Sequence, residues 1–446
     1  MLKRITSFFA VVLLVFTLNG GVFAGESNES ETTQVQNESK SIDYHKEKRQ
    51  EYGLDPNIDI SKNLASNSFV LNSNIGFYVT EKEEKELLER FSMQDQYIPN
   101  LISKIKEIIP QNQYAGLYVK QDEGGTVYIG IKDVNEKSIS SITKSLEEIK
   151  SIYPDESLIR FVSVKYSENE LNEIHNKVFS DIEHLKEKGI NVIYISTDVV
   201  NNRLEIGLQN NSEENRQYLI DTYGDVFAFF QADPNSFSTE GDKVTRLYPI
   251  QGGVQVRNQQ SGYCSAGFSA RKGTEYFVVT AGHCYASGSL NTFLQPDINA
   301  NAPNSYVIGG AEIGNVRQSG SVDALLISTN SSTVSNKVYF QYVSGKTLTS
   351  YTRDSSEYVG EHVCIASRSN DTCGTIRSTN LSSAGYTNLS AANYTAIPGD
   401  SGGTIFGNSK LYGIHRGDGV LNGGHVEVYT QAENIINYFG ITPIFN

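Results

Sequence analysis

Apolar and polar residues alternate in two similar segments of the first half of the chain. The first, YAGLYVKQDEGGTVYIGIKD (residues 114–133), alternates on both sides of an EGG turn, and the second, INVIYISTDVVNNRLEIGLQN (190–210), alternates around NN. A period of two is typical of β-strands with one buried face, and Gly or Asn between two such runs favours a tight turn. Both segments therefore predict β-hairpins.

Each predicted hairpin is followed by a helix and then by another strand. In the first unit, residues 136–150 have a helical pattern and 159–164 read IRFVSV; in the second, SEENRQYLIDTYG starts on the capping residue Ser212 and DVFAFFQ follows it. Between the units, the apolar positions of residues 167–189 fall on one helical face. The first half is thus predicted to be an α+β region of two hairpin-helix-strand units.

The pattern changes after a polar linker at residues 232–243. From residue 250 to 446, short apolar runs alternate with Gly, Asn and Ser, and only TQAENIINYFG (430–440) is typical of a helix. Many short strands with frequent turns indicate an all-β sandwich or barrel. We therefore place a domain boundary near residue 249, between a region over 67–249 and an all-β domain over 250–446.

The N-terminus has the pattern of an export signal. Lys3 and Arg4 precede an apolar run, and small residues end it near residue 24. This predicts a secretory signal peptide over residues 1–24, a secreted protein and no membrane span in the mature form. Residues 25–66 are polar and lack apolar periodicity, so they are predicted to be a mobile lead-in.

Charge excludes one class of partner. The net charge is −14, whereas residues 250–446 hold 12 acidic and 11 basic side chains, so the acidic excess lies in the first half. Neither half offers the basic surface that nucleic-acid phosphates require. We expect no nucleic-acid partner.

All cysteines lie in the predicted all-β domain: Cys264, Cys284, Cys364 and Cys373. In a secreted chain they indicate two disulfides, and the sequence permits three pairings. Pairing between sequence neighbours, 264 with 284 and 364 with 373, is favoured because each closes a short loop. Zinc binding is the competing interpretation, but the spacings contain no CxxC pair, so no metal or other cofactor is expected.

Ser401 lies in AIPGDSGGTIFGN (396–408), and its hydroxyl would need a base to become a nucleophile. His283, in FVVTAGHCYAS beside Cys284, is the leading candidate for that base.

Asp323 opens an apolar run in SGSVDALLIS, so its carboxylate is expected to be buried and to need a partner. Asp297 and Asp354 lie in polar turns and are weaker candidates. The order His, Asp, Ser differs from that of subtilisins and α/β-hydrolases.

TAGHC and GDSGG resemble the chymotrypsin superfamily. YCSAGFSARKGTEYFVVTAGHC, VGEHVCIASRSNDTCGTI and IPGDSGGTIF resemble its bacterial streptogrisin and α-lytic protease branch, and YAGLYV and YGDVFAFF resemble the pro-region of that branch. The resemblance implies a double six-stranded antiparallel β-barrel, peptide or protein substrates, and a pro-region over 67–249 that assists folding and inhibits the enzyme. It implies a mature start near Ile250, and we expect a monomer.

The resemblance also implies roles for individual residues. Ser401 would be the nucleophile, His283 the general base and Asp323 the residue that orients the imidazole. Backbone N–H groups of Gly399 and Ser401 would form the oxyanion hole. Asp400 would brace this loop against an internal arginine, for which Arg353 is the expected match.

The strand LYGIHRGDG resembles the S1 wall of glutamyl endopeptidases, in which the histidine contacts an acidic P1 side chain. His415 would then recognise a P1 carboxylate. Alternatively, it is a buried histidine with local bonds, and the pocket accepts aromatic or aliphatic side chains. Arg416 either assists His415 or points to solvent, and His362 and His425 are expected to be strand residues with local bonds.

Two further functions remain open at this point. A catalytically silent relative could bind peptides through the same groove, although it would have no need to retain His283, Asp323 and Ser401. An esterase could use the same three residues, but the chain order and the lack of a strand-helix nucleophile elbow disfavour it. A secreted serine endopeptidase made as a preproenzyme is the leading prediction.

Overall fold

A computed structural model describes residues 43–58, 70–71, 75–132, 147–232, 246–258, 262–286, 291–296, 306–340 and 343–445. The predicted signal peptide and most of the helix predicted over 136–150 lie outside these residues. No helix in this described part is both long enough and apolar enough to cross a membrane.

The longer helices begin with side-chain caps. Thr80 and Glu83 form a capping box at one helix, Ser167 and Glu170 form another, and Ser212 caps a third. The α-helices are α1 (43–51), α2 (Glu81–Ile108), α3 (Glu168–Ser180), α4 (Ile182–Glu187), α5 (Glu213–Tyr223) and α6 (Ala432–Phe439). Single 3-10 turns span Gln121–Glu123, Glu156–Leu158, Gly282–Cys284, Ile313–Asn315 and Asp354–Ser356.

The N-terminal region contains two sheets in which a hairpin is extended by a parallel strand. In the first, β3 and β4 are antiparallel and β5 runs parallel to β4; in the second, β6 and β7 are antiparallel and β8 runs parallel to β7. Helix α5 connects β7 with β8. The strands are β1 (Val70–Leu71), β2 (Tyr78–Val79), β3 (Tyr114–Lys120), β4 (Thr126–Lys132), β5 (Ile159–Val164), β6 (Val192–Asp198), β7 (Arg203–Leu208) and β8 (Phe227–Gln231).

Beyond residue 250 the described chain is almost entirely β-structure, as the alternation predicted. Its first strands are β9 (Gln255–Asn258), β10 (Gly262–Ser265), β11 (Ser269–Lys272), β12 (Glu275–Thr280), β13 (Thr292–Gln295), β14 (Tyr306–Gly310), β15 (Val316–Ser319), β16 (Val322–Thr329), β17 (Lys337–Phe340) and β18 (Val343–Thr347). The remaining strands are β19 (Ser350–Tyr351), β20 (His362–Ala366), β21 (Asp371–Ser383), β22 (Tyr386–Ala392), β23 (Thr404–Gly407), β24 (Lys410–Leu421), β25 (Gly424–Gln431) and β26 (Thr442–Pro443).

Most of these strands belong to two large sheets that share a buried apolar cluster, while β17 and β18 form a separate two-stranded sheet. In the first sheet the order is β10, β9, β13, β14, β16, β12, β11, β26, and β15 pairs with β16. In the second, the order β20, β23, β24, β25, β22, β21 closes into a six-stranded barrel because β20 also pairs with β21. Apolar residues of both sheets, such as Phe277, Leu326 and Phe406, share one buried cluster. The predicted chymotrypsin-like all-β fold is confirmed for this region.

The N-terminal region adds strands to the second sheet. Tyr194–Ser196 of β6 pair antiparallel with Leu381–Ser383 of β21, so β6, β7 and β8 continue that sheet. A parallel bridge also joins Tyr118 of β3 to Val359. The two regions are therefore linked by main-chain hydrogen bonds as well as by side chains.

The prediction that residues 25–66 are mobile is wrong for residues 43–58. Residues 43–51 form α1, in which Lys48 and Arg49 are buried. The polarity that suggested a mobile segment is satisfied by partners distant in sequence. Arg49 makes two hydrogen bonds with the carboxylate of Glu83, and Lys48 donates to the carbonyl oxygen of Asn393.

Candidate active site

His283 lies in a 3-10 turn that directly follows β12. The disulfide between Cys264 and Cys284 ties the next residue of this turn to β10, and Thr280 donates from its hydroxyl to the carbonyl oxygen of Ser265. The turn is thus fixed on both sides of the histidine. The imidazole itself is 41% exposed, so one edge of it faces solvent.

Asp323 is the second residue of β16, and its side chain is only 1% exposed. Its Oδ1 accepts a hydrogen bond of 3.0 Å from the backbone N–H of His283, and its Oδ2 lies 2.8 Å from His283 Nδ1. Both contacts hold the imidazole in one orientation. The burial expected from the apolar run in the sequence is present.

Ser401 lies in the loop that leads into β23, and its Oγ is 2.8 Å from His283 Nε2. The structure therefore brings together the side chains of His283, Asp323 and Ser401, which come from three separate strand ends. The backbone of Ser401 is fixed as well, because its carbonyl oxygen accepts from the N–H of Ser265. The other acidic candidate whose structure is described, Asp354, lies in a different 3-10 turn.

The loop around Ser401 depends on glycine. Gly399 and Gly402 have φ values of 97° and 85°, which L side chains rarely adopt. A Cβ on Gly402 would lie 2.1 Å from Thr280 Oγ1, so no side chain fits there. Among the described residues, the N–H groups of Gly399 and Ser401 donate to no other protein group.

Asp400 is fully buried and fixes the loop around Ser401 through hydrogen bonds. Its carboxylate accepts from the backbone N–H groups of Ser369 and Ile397 and from the amide of Asn370. Arg353, the expected partner, is not among these groups, and its charge acts on Glu433 instead. The arginine whose charge interacts with Asp400 is Arg368, which follows β20. The Arg353 assignment is therefore corrected to Arg368.

His415 on β24 is 3% exposed and lies between two polar side chains. Its Nδ1 is 3.1 Å from the Tyr394 hydroxyl, and its Nε2 is 3.9 Å from Glu427 Oε2. Burial, followed by the charges of His283, Arg416 and His425, lowers the pKa of His415 to about 3. The imidazole is therefore neutral at physiological pH.

Glu427 on β25 was not identified from the sequence. Its carboxylate is 1% exposed, and its Oε1 accepts from the backbone N–H of Ala396 and lies 2.8 Å from His425 Nε2. Burial raises the pKa of Glu427, while the hydrogen bond to Glu427 raises the pKa of His425. A buried acid thus lies beside His415 and also binds the N–H of Ala396, five residues before Ser401.

His362 contacts the N-terminal region, which the sequence did not indicate. Its Nδ1 lies 2.6 Å from the hydroxyl of Tyr52, and its ring stacks on Phe91 of α2 at 4.4 Å. The neighbouring disulfide joins Cys364 and Cys373, and both observed pairings are those favoured from the sequence. His362 therefore belongs to the contact between the two regions.

Residues 240–438 match the Trypsin family profile. Streptogrisin-C from Streptomyces griseus is 27% identical over 207 residues, which cover 44% of this chain and 42% of that protein. Thermobifida fusca Protease A is 25% identical, covering 44% of this chain and 99% of that structure, with a TM-score of 0.34. A glutamic acid-specific serine protease that uses a histidine triad in substrate binding is 22% identical, covering 44% of this chain and 100% of that structure, with a TM-score of 0.36.

Residues 240–438 therefore form a Trypsin-family, chymotrypsin-like domain, and the predicted streptogrisin-like resemblance is confirmed. The chain is also similar to Streptogrisin-C from Streptomyces griseus. The chain spans less than half the length of this relative.

Proposed function

We propose that this protein is a secreted serine endopeptidase made as an inactive precursor. The proposal rests on the two contacts of 2.8 Å that join Ser401 Oγ to His283 Nε2 and His283 Nδ1 to Asp323 Oδ2. A serine hydroxyl becomes a nucleophile when a base accepts its proton and a third group orients that base. The N–H groups of Gly399 and Ser401 would stabilise the oxyanion.

In this mechanism each residue has one task. Ser401 Oγ attacks the scissile carbonyl carbon while its proton moves to His283 Nε2, which later protonates the leaving amine. Asp323 stabilises the imidazolium and stays ionised. Water then repeats the same proton transfers to release the acyl group from Ser401. No metal ion or cofactor takes part in this scheme.

The N-terminal region is proposed to assist folding and to inhibit the enzyme. Its β6 extends the second sheet through β21, and its helices α1 and α2 contact the same barrel. Such a template supplies long-range contacts that a β-barrel would otherwise form slowly. The mature chain is proposed to begin near Ile250, which is 1% exposed, whereas Tyr248, two residues earlier, is 54% exposed.

For the P1 side chain, we propose an uncharged aromatic or aliphatic residue. His415 was predicted to bind either an acidic or an apolar P1 residue. Its imidazole is neutral, and the buried carboxylate of Glu427 lies 3.9 Å from its Nε2. A P1 carboxylate entering this pocket would therefore meet a second carboxylate, which is unfavourable at low dielectric. This argument favours the apolar alternative.

The proposed activity is tested with a serine-directed phosphonate and a peptide library. The protein is produced as the full chain, allowed to mature, and compared with Ser401→Ala made in the same way. We expect labelling at Ser401 and peptide cleavage only without the substitution, with a decrease in kcat/KM of about 10⁴-fold or more in Ser401→Ala. Hydrolysis of ester but not peptide substrates would favour an esterase, and neither labelling nor cleavage would favour a silent peptide-binding relative.

A further inference from the structure

Arg416, the residue after His415 on β24, contacts the proposed catalytic aspartate. Its Nε lies 3.5 Å from Asp323 Oδ2, and its guanidinium lies over the ring of Tyr386 at 4.1 Å. The side chain is 19% exposed, and within the described part of the chain its Nε is buried without a hydrogen bond. Arg416 is thus directed into the protein, toward the carboxylate.

The oxygen that faces Arg416 is the one that faces the imidazole. Asp323 Oδ2 lies 2.8 Å from His283 Nδ1 and 3.5 Å from Arg416 Nε. A carboxylate stabilises an adjacent imidazolium, and a second cation beside the same oxygen offsets part of that stabilisation. Asp323 is 1% exposed, so water screens these charges weakly.

We propose that Arg416 is a positioning residue that acts on His283 through Asp323. This inference rests on the proposed function of His283 as the general base. By offsetting part of the charge of Asp323, Arg416 weakens the stabilisation that this carboxylate gives to a protonated imidazole. Arg416 also contacts the same oxygen of Asp323 as the imidazole does, and so helps to hold the carboxylate in place.

The other charged and titratable groups near this site do not supply the same effect. His415 is neutral, and the pKa of the Tyr386 phenol is raised by burial and by the charge of Asp323, so it is neutral too. Arg317 on β15 donates to the carbonyl oxygen of Ser319, and its guanidinium lies over the ring of Tyr438. Arg416 is therefore the cation whose removal should change how strongly the Asp323 carboxylate stabilises a protonated His283.

The direct test is an NMR titration of the histidines in the full chain carrying Ser401→Ala, which prevents self-cleavage. The signal of His283 is assigned by its loss in His283→Asn. With Arg416→Gln we expect the titration midpoint of His283 to rise by about one pH unit, because the imidazolium is no longer opposed by a cation. Arg416→Lys should retain most of the original midpoint, and Arg271→Gln, at an exposed position on β11, should leave it unchanged.

A kinetic measurement completes the test. In matured enzyme without Ser401→Ala, the acid limb of the profile of kcat/KM against pH should move upward in Arg416→Gln by the same amount as the titration. An unchanged or lowered midpoint in Arg416→Gln, or an equal shift in Arg416→Lys, would overturn the inference. Because the titration needs no catalysis, it gives its answer even if the protein proves not to be a peptidase.

Discussion

At the scale of single residues, the proposed P1 preference depends most directly on Glu427. Its buried carboxylate lies beside His415 and binds the N–H of Ala396. Glu427→Gln keeps the shape and the oxygen that accepts from Ala396, but it removes the charge. We expect cleavage after Glu to rise relative to cleavage after Phe by about tenfold or more, since about 1.4 kcal/mol of repulsion corresponds to that ratio.

The pH dependence of the unsubstituted enzyme provides a control for this prediction. Burial raises the pKa of Glu427, so the carboxylate becomes protonated as the pH falls through that raised value. The ratio of Glu to Phe cleavage should therefore rise more steeply at lower pH in the parent than in Glu427→Gln, in which only the P1 carboxylate of the substrate still becomes protonated. The ratio cancels the common effect of His283 protonation. If the ratio of Glu to Phe cleavage is equal in the parent and in Glu427→Gln at neutral pH, Glu427 does not influence the choice of the P1 side chain.

The residues at the site differ in how far the sequence could identify them. His283, Asp323 and Ser401 were identified because short motifs surround the first and last, and an apolar run marks the buried aspartate. Glu427 carries no such motif. It lies in a polar strand, GGHVEV, and its burial depends on the turn before Ser401 folding over it. The expected match of Asp400 with Arg353 was wrong because sequence distance alone does not reveal which loop lies beside Asp400.

At the scale of secondary structure, helix α1 depends on one buried ion pair. The guanidinium of Arg49 is fully buried, makes two hydrogen bonds with Glu83 on α2, and donates to the carbonyl oxygens of Asp55 and Tyr78. Arg49→Ala would leave the Glu83 carboxylate and two carbonyl groups without this partner. We expect a loss of about 3–5 kcal/mol in the free energy of unfolding of the segment that contains α1.

Hydrogen exchange in the full chain, with Ser401→Ala to prevent self-cleavage, measures this loss for α1. The matched control is Arg216→Ala, which removes a pair with Glu213 that is mostly exposed and is worth at most about 1 kcal/mol. Similar protection of α1 in both variants would show that the Arg49 pair does not anchor the helix.

Helices α1 and α2 also show why element prediction from the sequence was incomplete. The hairpins were predictable because alternation and turn residues are local signals. Helix α2 begins with the capping box of Thr80 and Glu83, which is a local signal that the sequence carries. Helix α1 has few apolar residues, and its partners Glu83 and Asn393 are distant in the sequence. Its order is a consequence of tertiary structure.

At the scale of the whole molecule, buried titratable groups occur where the two regions meet. On the N-terminal side, burial lowers the pKa of His175 to about 4 and raises that of Asp95; on the barrel side, burial raises the pKa of Glu361 well above its usual value. Because folding raises the pKa values of Asp95 and Glu361, their contribution to stability is complete below the pKa of the unfolded chain. This contribution is lost as the pH rises through the raised pKa of the folded form. His175 acts in the opposite direction.

His175 on α3 gives the clearest prediction for the joined regions. Its Nδ1 accepts from the amide of Asn380 on β21, and within the described residues its Nε2 is buried without a hydrogen bond. Its pKa falls from 6.5 when unfolded to about 4 when folded, so its contribution is complete above pH 6.5 and is lost as the pH falls toward 4. Over that window the loss amounts to about 3 kcal/mol.

His175→Gln can still accept a hydrogen bond from Asn380 but cannot become protonated. In full chains carrying Ser401→Ala, we expect the melting temperature to decrease less between pH 7 and pH 4.5 with His175→Gln than without it. His184→Gln, at an exposed position on α4, should behave as the parent does. Asp95 and Glu361 are present in all three proteins, so the differences among them isolate His175. If the three proteins lose stability equally on acidification, the charge of His175 does not govern how the regions hold together.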